Sequence, residues 1–104
     1  MNELPKDVDI GLKIALYDIF YLSNSKLENL PPFGESQVKY YRNSGSEKIN
    51  EIGKALEWAE AYPNYAYNKI YPRHSNINND IIYDFLMYTL NGLIDNELYH
   101  RKQK

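Results

Sequence analysis

The chain has 104 residues, 43% of them hydrophobic and 25% charged, with no cysteine, which suits one domain over 1–104 and excludes disulfides and thiolate metal sites. The net charge is −2, but Arg101, Lys102 and Lys104 stand at the extreme end. Without those three of the twelve basic residues, residues 1–100 hold nine Lys and Arg against fourteen Asp and Glu, a balance that repels phosphates and suits a basic partner.

MNELPKDVDI has no basic stretch leading into an apolar one, so no signal peptide is expected. Segments 8–22 and 77–94 are interrupted by Asp9, Lys13, Asp18, Asp80, Asp84 and Asn91, so neither is expected to span a membrane and a cytoplasmic location is expected. Residues 6–23 form the first predicted helix. Val8, Leu12, Ala15, Ile19 and Leu22 make one stripe at helical spacing, and Ile10, Ile14, Tyr17 and Tyr21 a second beside it. Pro5 is tolerated at the start, and Asp7 and Asp9 suit the positive helix end. The width of the apolar arc predicts a central helix.

Residues 24–36 form a connector broken by Pro31, Pro32 and Gly34, with Leu27, Leu30 and Phe33 as apolar contacts. QVKYYR, 37–42, suits a short strand or two helical turns, and with no partner strand in view helix is expected. After the break at 42–46, Ser44 and Glu47 have capping-box spacing, with Ser46 a competing cap. A helix over 47–61 then buries Ile49, Ile52, Leu56 and Ala59 and stops before Pro63, while Gly53 suits a close approach by another element. YPNYAYNKIYP, 62–72, fits a turn or at most about two helical turns. A last helix, starting between Ser75 and Asn78 and reaching about Tyr99, carries the stripes Ile77, Ile81, Phe85, Tyr88 and Ile82, Leu86, Leu90, Leu93 and is also expected to be central. The fold class these elements define is all-α, a compact bundle of about four helices with short helical turns in the connectors.

Signals for chemistry are sparse. His74 and His100 are the only histidines and stand in no metal-ligand pattern, so no metal and no cofactor is expected. The glycines form no phosphate-binding loop, and no nucleophile has a base at a meaningful spacing, so no catalysis is expected. Asp80 and Asp84 share a helix face, where a solvated helix start accounts for them. KYYR and NKIYPRH interleave aromatic and basic residues, but an acidic body without a basic helix face disfavours nucleic acid.

The tyrosines remain. Abundant Asn, Ile, Tyr and Lys fit AT-rich codons, yet Phe, which shares that bias, numbers 3 against 11 Tyr, so the hydroxyl is selected along with the ring. A phenol combines large apolar area, few rotamers and a hydrogen-bonding tip, the properties of an interface contact. Tyr62, Tyr65, Tyr67 and Tyr71, with Glu57 and Glu60 before them and Asp80 and Asp84 after, are the candidate partner-binding residues. Loop bracing is the competing role for each ring.

A short, acidic, cysteine-free, tyrosine-rich helical chain with YPNYAYNKIYP beside acids resembles the immunity proteins of bacterial toxin systems, including contact-dependent inhibition. Colicin-type immunity proteins carry Tyr-Tyr-Pro after acidic helical residues. The nearest counterparts here, Tyr62-Pro63 and Tyr71-Pro72, have one tyrosine each, so no residue role is carried over. The resemblance implies a bacterial, non-catalytic inhibitor that covers the active site of a basic toxin domain, such as a nuclease. The alternative expectation is a homo-oligomeric structural or regulatory helical protein with the tyrosines in a dimer seam.

Overall fold

Residues 4–17, 34–71 and 76–100 are described by a computed structural model. Among them are four α-helices and no strand: α1 (Lys6–Tyr17), α2 (Glu35–Ser44), α3 (Ser46–Ala61) and α4 (Asn79–Asp95), with a 3₁₀ turn at Tyr67–Lys69. This is the all-α bundle expected from the apolar spacing. The continuation of the first helix over 18–23, connector residues 24–33, His74 and the basic end 101–104 lie outside the described residues.

The helix at the centre is α3, which packs against α1, α2 and α4 in turn. The sequence pointed instead to the first and last helices, because their apolar arcs are wider. What decides the matter is side-chain size. A Cβ placed on Gly11 of α1 would lie 2.6 Å from Ala55 Cβ and 2.7 Å from the Glu51 carbonyl oxygen, so α1 reaches the α3 backbone only because Gly11 has no side chain. Ala55 and Ala59 are fully buried with Ile52 and Leu56, leaving room for neighbours on several sides of α3. Leu12, Ala15 and Leu16 from α1 and Ile82, Leu86, Leu90 and Leu93 from α4 complete the core at 0% exposure.

The α2–α3 break differs from the capping box expected at Ser44 and Glu47. A single residue, Gly45, ends α2 and begins α3 at φ 95°, a conformation open to glycine, and no side chain caps α3. The Ser44 hydroxyl donates back to the Tyr40 carbonyl at 3.0 Å instead. Helix α2 also begins inside the expected connector, at Glu35, with the Gln37 side chain accepting from the Gly34 N–H at 3.1 Å.

Helix α4 starts where polar caps predict, with Asn78 Oδ1 accepting from the Asp80 N–H at 2.7 Å. It stops at Asp95, four residues short of expectation. The Leu98 N–H reaches the Leu93 carbonyl at 2.8 Å and the Glu97 N–H the Ile94 carbonyl at 3.0 Å, the Schellman arrangement, which sets Glu97 at φ 60°. A non-glycine residue there is strained, so Glu97→Gly is expected to stabilise the protein by about 1 kcal/mol, read as a higher midpoint in urea. A fall in the midpoint would show that the Glu97 side chain contributes more than the backbone strain costs.

Candidate protein-binding face

Pro63 and the α3 C-cap at Tyr62 turn the chain away from α3, and the tyrosine stretch then folds as a loop with one 3₁₀ turn. Asn79, at the start of α4, holds it in place. The Asn79 side chain donates to the Tyr65 carbonyl at 2.9 Å and accepts from the Asn68 N–H at 2.9 Å, while the Asn68 side chain donates to the Ile77 carbonyl at 3.1 Å. A segment of otherwise irregular backbone is thereby fixed against a helix end.

The loop separates its four phenols into three environments. Tyr67 is fully buried, so it belongs to the core and not to a partner-facing patch as the sequence suggested. Its hydroxyl donates to the Tyr62 carbonyl at 2.6 Å, with the Ala59 carbonyl 3.3 Å away, which ties the loop to the end of α3. Burial above all, then the neighbouring Tyr83 and Tyr65 phenols, pushes its pKa far above the usual phenol range. Tyr71 leaves the cluster and donates to the Lys13 carbonyl of α1 at 2.9 Å. Burial raises its pKa, against the opposing pull of Lys13. Tyr62 and Tyr65 stay together: Tyr62 is 38% exposed and Tyr65 half-buried.

Two aromatic residues that the sequence did not single out complete the group. Trp58 of α3, half-buried, packs at 4.5 Å against Tyr62 with the rings tilted by 40° and meets Tyr65 edge-on at 5.4 Å. Tyr65 continues to Tyr67 at 5.2 Å, and Tyr67 to Tyr83 of α4 at 6.2 Å. Trp58 was findable, since it stands four residues before Tyr62 on one helical face. Tyr83 was not, because its place beside Tyr67 depends on how α4 lies against the loop.

The acids divide as well. Glu60, from α3, and Asp84, from α4, both act on the half-buried Tyr83 hydroxyl, whose pKa is raised first by burial and then by these two carboxylates. The structure thus brings together two candidate acids that lie 24 positions apart in the chain. Asp80 is exposed on the first turn of α4. Glu57 has a structural role: its Oε2 accepts from the Tyr99 hydroxyl at 2.6 Å. Over residues 57–100 the sequence carries Glu57, Glu60, Asp80, Asp84, Asp95 and Glu97 against Lys69 and Arg73.

The resulting arrangement is a tyrosine–tryptophan group beside carboxylates, suited to contact and charge steering. Among the described residues, no group of three or more histidines and carboxylates could hold a metal ion, and no helix is long and apolar enough to cross a membrane. Comparison with protein families, curated proteins and solved structures finds no match for this chain.

Proposed function

We propose that the protein is a binding inhibitor, an immunity protein that covers the active site of a basic toxin domain, with Trp58, Tyr62 and Tyr65 as its contact group. The observation that supports this reading is the juxtaposition of that partly exposed aromatic group, through Tyr67 and Tyr83, with Glu60 and Asp84. Clustered Trp and Tyr rings supply contact energy in a small area, and nearby carboxylates steer a cationic partner and speed its arrival. Asn79 and Tyr67 hold the loop before binding, so less ordering entropy is lost in the complex.

The test begins with the tagged chain in its own host, followed by titration of the recovered basic domain. A one-to-one complex in which the toxin activity falls as the complex forms supports the reading. Recovery of no stoichiometric partner removes it. In that complex Tyr62→Ala and Trp58→Ala are each expected to weaken binding by about 30-fold or more. Tyr62→Ala should leave the melting temperature nearly unchanged, since the ring is 38% exposed. Glu60→Lys should slow association, and more so at low salt. Equal loss of affinity and stability in Tyr62→Ala would make that ring a loop brace.

A further inference from the structure

Trp58 and Tyr62 stand one turn apart where α3 ends, with ring centroids 4.5 Å apart and ring planes tilted by 40°. Tyr65 meets Trp58 at 81°, so the group presents ring faces in more than one direction. The C-terminal end of a helix is negative and favours Lys or Arg in its last turn. Here that turn holds Glu60 and no basic residue. The backbone adds an acceptor. The Tyr62 N–H serves the Trp58 and Ala59 carbonyls, and the Tyr67 hydroxyl serves the Tyr62 carbonyl. Ala61 is exposed, and no donor among the described residues reaches its carbonyl.

We infer that this helix end receives an arginine side chain of the partner, with the guanidinium laid on the Tyr62–Trp58 rings and its N–H groups turned toward the Ala61 carbonyl. The inference rests on the binding reading above and names the group that the contact face takes. Three requirements select arginine. The occupant must cover ring faces, must supply a donor to a carbonyl that the contact shuts off from water, and must suit a negative helix end. An apolar side chain meets the first and leaves the Ala61 carbonyl unpaired. A side-chain amide meets the first two and carries no charge. A lysine ammonium brings charge and donors, but it is strongly hydrated and has no flat face. The guanidinium is planar, weakly hydrated and edged with N–H donors, so one group satisfies all three.

Trp58 is the single tryptophan of the chain, so its fluorescence reads occupancy of this site directly. Hexa-arginine and hexa-lysine peptides are titrated against the full chain in about 0.3 M salt, where attraction between distant charges is largely screened. Hexa-arginine is expected to bind at least ~3-fold more tightly. Tyr62→Leu keeps an apolar side chain but removes the aromatic face, and should abolish that preference with unchanged helical circular dichroism. Equal affinity for the two peptides overturns the inference, as does an arginine preference that survives Tyr62→Leu. This arm needs no cognate toxin, so it decides the inference even where the immunity reading falls.

In the toxin complex, replacing one toxin arginine by alanine is expected to weaken binding about 30-fold, and replacing it by lysine at least ~5-fold. Either change should cost little more once Tyr62→Ala is present, because both partners belong to one contact. A tight inhibitory complex in which no toxin arginine couples to Tyr62 sinks the inference and leaves the immunity reading intact.

Discussion

Gly53→Ala is expected to destabilise the protein by about 3 kcal/mol, although alanine improves an exposed helix interior by about 1 kcal/mol over glycine. The reason is Tyr99. After α4 ends, the chain folds back and lays the Tyr99 ring directly over Gly53, so that a Cβ at position 53 would clash with the Cδ1, Cε1 and Cζ atoms of the ring. Tyr99 is 1% exposed, and its hydroxyl donates to Glu57 one turn further along α3. The α3 backbone is held on three sides, so the ring must leave. Its departure forfeits aromatic burial and a charge-assisted hydrogen bond. The loss is limited to what Tyr99→Ala costs, because an expelled ring cannot be expelled again. Gly53→Ala/Tyr99→Ala should therefore be no less stable than Tyr99→Ala, and slightly more stable through helix propensity. Urea unfolding of the three variants checks this cycle. Additive losses, or a gain in Gly53→Ala alone, would refute the proposed overlap of ring and Cβ.

Tyr67 carries the second large effect. Tyr67→Ala empties a fully buried ring site and is expected to cost about 4 kcal/mol. Tyr67→Phe keeps the ring but leaves the Tyr62 carbonyl without this donor, for a cost of about 1–2 kcal/mol. The two variants also differ from wild type at alkaline pH. The folded pKa of Tyr67 lies above its ordinary value of 10, so the folded chain holds that proton more tightly than the unfolded one. This contribution is whole below pH 10 and is lost as pH climbs from 10 toward the folded value. Wild-type stability should fall by up to about 1.4 kcal/mol per pH unit on that limb from Tyr67 alone. Tyr71, Tyr83 and Tyr88, also raised by burial, add to the fall. Tyr67→Phe should flatten the limb in chemical denaturation between about pH 10 and pH 11. An unchanged slope would mean that the phenol ionises in the folded protein as easily as in the unfolded one.

How much of this was legible in the sequence depends on the range of the interaction. Helix α3, the stop before Pro63, the start of α4 at Asn78 and the all-α class follow from local rules of spacing, capping and proline geometry, and each stands where those rules put it. YPNYAYNKIYP was recognisable as a confined phenol-rich stretch for the same reason. Its division into a core strut at Tyr67, a surface pair at Tyr62 and Tyr65 and a separate contact at Tyr71 was not, since it depends on Lys13, Trp58, Asn79 and Tyr83, up to 58 residues distant. The choice of α3 as the central helix likewise came from Gly11 meeting Ala55 and Gly53 meeting Tyr99. Local periodicity tells which side of a helix is apolar. Only the packed structure decides which helix that side meets, because close approach is set by the smallest side chain at each contact, and the position of that contact along the chain leaves no local mark.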